Sequence, residues 1–186
     1  MKTERVAVNV NEIHLPHPQI RAEDWRSPLV CRLLGGVTYK DGSRCVESSF
    51  RPSESVEVEI HKSSFVWTGL GTDFKKALNT YQAPVITEFA TLGLACGLLT
   101  LLTGLEVTEV TRRGEKADYW LGDRQLMLEV SGQQTGSLET LCLEKASQLT
   151  SNPFSKNGYV CVANYADLHA RLWFYAADES GVDAHG

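Results

Sequence analysis

Residues 117–149 read ADYWLGDRQLMLEVSGQQTGSLETLCLEKASQL. The pattern is strand, tight turn, strand, helix. Gly122-Asp123 separates two β-prone runs and suits a two-residue primed hairpin loop. Such a loop pairs Leu121 with Arg124, Tyr119 with Leu126 and Asp118 with Met127. Opposed residues share a face, and each strand alternates faces. Asp118 therefore shares a face with Met127, Glu129 and Ser131, and Asp118 and Glu129 become diagonal neighbours roughly 7–8 Å apart at the backbone. Two carboxylates that close on a sheet repel unless a cation or a proton sits between them. The alternative has Glu129 facing solvent and Asp118 in a turn.

Ser137 is placed to cap a helix running from Leu138 to Thr150. At about 100° per residue, Leu138, Leu141, Cys142 and Leu149 fall on one stripe, with Lys145 in its middle. A lysine centred in an apolar face either snorkels or finds a negative partner. The helix must pack its stripe on the sheet, where Asp118 and Glu129 are the candidate partners. A plain ion pair and a catalytic group both satisfy this pattern.

An acid, ten intervening residues and then E-x-S at the end of an apolar strand resembles the PD-(D/E)XK nuclease signature, found in restriction endonucleases and RecB-type exonucleases. The resemblance covers about half the chain. Asp118 matches the first acid and Glu129 the second. Ser131 stands where the motif lysine is expected. Some members carry that lysine on the following helix, and Lys145 fits the migrated position. Gln148 is similar to the polar residue that exonuclease members carry on this helix. The resemblance further implies that Glu88, on the helix before the strands, joins the metal site. It implies a restriction-endonuclease-like αβββαβ core within an α/β fold.

From Val85 the periodicity and turns, taken without the motif, give the same order. VITEFATLGLACGLLTLLTGL is a buried core helix rather than a membrane span, because it is short, glycine-interrupted and threonine-containing. Gly104 ends it, and Ala95, Cys96 and Gly97 permit close packing on a sheet. LEVTEVT at 105–111 is a strand. YVCVANY at 159–165 follows a crossover helix, which permits parallel pairing, and ARLWFYA at 170–176 is a further strand.

The first third suggests a β-rich subdomain over residues 1–80, before a nuclease-like core at 81–178 and a flexible tail at 179–186. VAVNV at 6–10 alternates as a half-buried strand. HLPHPQ at 14–19 is a loop, and Pro16 keeps His14 and His17 from aligning as metal ligands. LVCRLLGGVTY at 29–39 reads as a strand with a bulge at Gly35-Gly36, followed by a hairpin turn at 40–43. SVEVEIHKSS alternates, with Val56, Val58 and Ile60 one way and Glu57, Glu59 and His61 to solvent. TDFKKALNT at 72–80 is a short helix capped by Thr72 or Asp73.

At 186 residues the chain is long enough for one proper core. Its net charge of −5 argues against non-specific nucleic-acid binding by the whole surface. A nuclease therefore needs a local basic rim, a partner (a second copy or another protein), or both. Arg112, Arg113 and Lys116, on the loop before Asp118, are the candidate phosphate contacts, against an ordinary solvated turn. Gln133, Gln134 and Thr135 are candidates to line the entrance. Five cysteines without a C-x-x-C pair suggest reduced thiols in a cytoplasmic protein, and MKTERVAVNV lacks an apolar signal core.

The resemblance implies metal-dependent phosphodiester hydrolysis of nucleic acid, DNA before RNA. Mg²⁺, or Mn²⁺, would be held by Asp118, Glu129 and the Val130 carbonyl. Lys145 would orient the attacking water or stabilise developing charge. The competing expectation is a nuclease-fold protein without catalysis that serves as a binding or assembly subunit.

Overall fold

The computed structural model describes residues 6–178, so the expected flexible tail at 179–186 lies outside the described residues. In chain order the elements are β1 (Val6–Asn9), α1 (Arg26–Leu34), β2 (Gly42–Arg51), β3 (Glu59–Trp67), α2 (Gly71–Thr80), α3 (Ala83–Leu102), β4 (Val107–Val110), β5 (Tyr119–Leu121), β6 (Leu126–Gln133), α4 (Leu138–Thr150), β7 (Gly158–Asn164) and β8 (His169–Tyr175). The fold is mixed α/β. One eight-stranded sheet runs in the order β1-β3-β2-β8-β7-β6-β5-β4. From α3 onward the elements follow the helix, three strands, helix, strand order expected from the turns.

The centre of the sheet is held by α3. Twelve of its residues are buried, among them Leu94, Ala95, Leu98 and Leu99, each at or below 1 % exposure. This all-round apolar character is what a core helix requires. Two glycine positions fix its approach to the sheet. A Cβ at Gly97 would lie 2.9 Å from both the Phe65 ring and Val8, and one at Gly132 on β6 would collide with the Thr91 hydroxyl. Gly104 sits at φ +70 just beyond the helix, where an L side chain is strained.

The other face is covered differently. Leu128 and Val130 of β6 point into the α3 core, whereas Met127 joins Trp120, Cys142, Ala146, Leu149, Val160 and Val162 in a second cluster under α4. α4 packs on β6, β7 and β8. β6 and β7 are parallel, joined through α4 as the crossover helix, and β8 returns antiparallel to β7. β2 pairs in parallel with β8, so the strands of residues 1–80 continue the same sheet.

The first third departs from the sequence reading in several places. Residues 26–34 form α1, not a strand, and bury Pro28, Leu29, Val30, Cys31 and Leu33. Gly35 is the left-handed cap of that helix at φ +66 rather than a bulge, and the hairpin expected at 40–43 is absent. In β3 the buried side is Ser63, Phe65 and Trp67, while Val56, Val58 and Ile60 are exposed. The aromatic residues downstream outweigh the valine alternation, because burying Phe and Trp removes more apolar area. α2 starts one residue earlier than expected, after Leu70 and without a side-chain cap.

Candidate functional site

β5 and β6 pair with Tyr119 opposite Leu128, Trp120 opposite Met127 and Leu121 opposite Leu126. The loop is thus residues 122–125, not Gly122-Asp123 alone, with Gly122 and Arg124 both at positive φ. The register differs from the two-residue reading by two positions. Because side chains alternate with period two, a two-residue slip leaves every face assignment intact. It also sharpens the geometry. Continuing the pairing by one residue sets Asp118 directly across from Glu129 instead of diagonal to it. Asp118 is fixed there by its own backbone, with its N–H donating to the Leu128 carbonyl at 3.0 Å. Its side chain is fixed too, with Oδ2 accepting from the Val130 N–H at 2.7 Å.

The third group arrives on α4. The Ser137 hydroxyl accepts from Thr140 N–H at 3.2 Å and starts the helix as the sequence indicates. Cys142, Ala146 and Leu149 bury against the sheet, and the same face aims Lys145 at β6. Lys145 Nζ lies 2.7 Å from Glu129 Oε1, with the lysine side chain 23 % exposed and the glutamate 4 %. Nζ also donates to Gln148 Oε1 at 3.0 Å. An acid from β6, an acid leading into β5 and an amine from α4 thus meet at one point.

The electrostatics are those of two acids sharing one cation. Burial pushes the Asp118 carboxyl above its ordinary range, against the pull of the Val130 N–H and Lys145. Burial first and the Asp118 charge second push Glu129 up to about 7, with Lys145 offsetting only part of their effect. The two carboxyls are within hydrogen-bonding reach of each other. Below about 7 the pair retains a proton, which a second positive charge would displace.

An open cleft of about 520 Å³ exposes this group, lined by Lys116, Ala117, Asp118, Glu129, Lys145, Ser147, Gln148 and Ser151. Lys116 therefore reaches the cleft, and its backbone adopts φ 59. Arg112 and Arg113 are exposed on the same loop and do not line the cleft. The loop is pinned by Glu115, a buried acid that sequence reasoning passed over. Its carboxylate accepts from Arg112 N–H at 2.7 Å and Trp120 Nε1 at 3.2 Å, and pairs with Arg124 at 3.4 Å. These donors hold its carboxyl below the usual range. Only the four-residue hairpin loop brings Arg124 to it, so the sequence carried no signal. Ser147 and Ser151 were also missed, although Ser151 follows Gln148 by three residues on the helix face.

Three expected contributors do not join the group. Glu88 is exposed on α3, across the sheet from α4, so it does not complete the acid pair. Ser131 shares the Glu129 face of β6 and does not line the cleft. Gln134, with its amide oriented toward Arg32, accepts from that guanidinium at 2.9 Å, away from the cleft. His17 is not a metal ligand. It is fully buried, accepts from Val107 N–H at 2.9 Å through Nδ1, and sits 3.2 Å from the Cys96 carbonyl through Nε2.

Among the described residues no group of three or more His, Cys, Asp or Glu is placed to hold a metal ion. Two carboxylates lining an open cleft nevertheless suit Mg²⁺ in kind, since that ion keeps several waters and takes one or two protein carboxylates besides substrate phosphate. Comparison of the chain with protein-family models, with curated proteins and with solved structures finds no match.

Proposed function

We propose that this protein is a metal-dependent phosphodiesterase acting on nucleic acid, DNA before RNA, with a restriction-endonuclease-like core. The observation that carries the reading is the 2.7 Å contact between Lys145 and Glu129, made from a helix rather than from position 131, beside Asp118 at the entry to the neighbouring strand. Asp118, Glu129 and the Val130 carbonyl are the groups that would hold Mg²⁺ or Mn²⁺. When bound, the ion would polarise the scissile phosphate and lower the pKa of a coordinated water.

The chain's own residues supply orientation and charge. Val130 N–H holds Asp118 in one rotamer, and Gln148 holds the Lys145 ammonium beside the acids. Set beside the two carboxylates, the Lys145 ammonium is placed to orient a nucleophile and stabilise charge. Lys116, at the cleft rim, is the first phosphate contact, and Arg112 and Arg113, outside the cleft on the same exposed loop, add positive charge beside it.

A specific observation favours a second reading, a binding or assembly subunit without catalysis. Lys145 is satisfied by Glu129 and Gln148, and only two acids converge. The experiment that separates the two incubates linear and circular DNA, and RNA, with the protein and Mg²⁺ or Mn²⁺. Cleavage lost in both Glu129→Ala and Lys145→Ala supports the enzyme. Silence of the folded wild-type protein with either metal supports the subunit.

A further inference from the structure

The face of the sheet that carries α4 is only half covered. α4 spans β6, β7 and β8, and among the described residues no helix packs on the same face of β2 and β3. Cys45, Ile60, Lys62 and Val66 are accordingly exposed there. At the border of this open area, on the far side of α4 from the cleft, two arginines and two aromatic residues interleave. The Arg51 guanidinium lies 4.6 Å from the Trp173 ring centre and 4.7 Å from that of Tyr175. The Arg171 guanidinium lies 4.6 Å from the Trp173 ring. Parallel pairing of β2 with β8 sets Arg51 beside Trp173 and Ser49 beside Arg171, and Trp173 Nε1 donates to Ser49 Oγ at 3.0 Å.

Neither arginine has a carboxylate partner among the described residues. The only acid of β2 on this face, Glu47, is taken by Lys62 at 3.4 Å and faces His169 at 3.8 Å. Arg51 donates one bond to the Phe174 carbonyl at 2.8 Å, and its buried Nε has no acceptor.

We infer that Arg51, Arg171, Trp173 and Tyr175 form a second contact surface for a single strand of nucleic acid, separate from the cleft. Guanidinium forks match phosphate oxygens, and aromatic rings interleaved with cations are the pattern that accepts a phosphate backbone with its bases. An acidic peptide would use the cations and leave the rings idle. The inference rests on the nuclease reading only for the identity of the polyanion.

The test is fluorescence anisotropy of a short fluorescein-labelled single-stranded DNA in EDTA over a salt series, alongside cleavage with Mg²⁺. Losing two phosphate contacts lowers the slope of log affinity against log salt by about 1.4, at about 0.7 per contact for single strands. The Arg51→Gln/Arg171→Gln variant should show that drop, and Arg51→Lys/Arg171→Lys should keep the wild-type slope. A purely structural role would affect both pairs alike. Glu129→Gln should abolish cleavage and leave the slope unchanged. A wild-type protein that binds with the expected slope but never cleaves would overturn the proposed reaction and sustain the surface. No binding by wild type, an unchanged slope in the glutamine pair, or equal competition by poly-glutamate would each overturn the surface.

Discussion

Glutamine at position 129 keeps the side chain's shape and removes its titrating proton. In the wild-type protein Glu129 is 3 % exposed and its carboxyl titrates at about 7 instead of its ordinary 4.5. The folded state therefore holds this proton more tightly than the unfolded state. That stabilisation is fully present below 4.5 and is lost as pH rises through about 7. The interval between those values, at about 1.4 kcal/mol per pH unit, amounts to about 3 kcal/mol. Chemical denaturation in EDTA at several pH values from about 5 to about 8 reads it directly. Wild type should lose about 3 kcal/mol relative to Glu129→Gln across that range. Mg²⁺ at one hundred times its dissociation constant should return about 2.7 kcal/mol to wild type at the alkaline end and little to the variant. Parallel stability curves for the two proteins would refute the claim that these acids share one proton in a desolvated site.

Four further outcomes follow from the geometry. Placing a lysine at 131, on the Glu129 face, should restore cleavage to an inactive Lys145→Ala protein, because Ser131→Lys returns the ammonium to the same acids from the strand. Absence of rescue in a folded double variant would count against a migrated lysine. Gly132→Ala should destabilise the fold by about 1–3 kcal/mol, as seen in a urea midpoint, since a methyl there meets the Thr91 hydroxyl. Glu115→Ala should raise KM for DNA more than it lowers kcat, because it frees the loop carrying Lys116. His17 works in the opposite sense to Glu129. Burial holds its imidazole below the ordinary 6.5, so its contribution is present above 6.5 and lost as pH falls, and His17→Gln should flatten that acid limb.

The parts of the site that the sequence disclosed are those set by local rules. Alternation placed Asp118 and Glu129 on one face, helical spacing placed Lys145, and Ser137 marked where α4 begins. Even the wrong loop length did no harm, since strand parity survives a two-residue slip. What stayed hidden depended on partners far along the chain. α1 carries a short apolar run whose period does not separate helix from strand, and only packing on α3 decides it. Glu88 was a ligand candidate only through the resemblance, and sequence order does not say which face of a sheet its helix covers. Arg51 meets Trp173 because β2 pairs with β8, a pairing between distant segments that no local pattern announces.

That pairing has a consequence for how the chain is made. β8 lies in the middle of the sheet, between strands that are synthesised well before it. Until residue 175 has left the ribosome, β2 and β7 each present an unfilled edge, and the nascent chain consists of two open half-sheets. Synthesis arrested before His169 should therefore yield an aggregating product that needs a chaperone, whereas release a few residues beyond Tyr175 should let the final strand close the gap like a keystone.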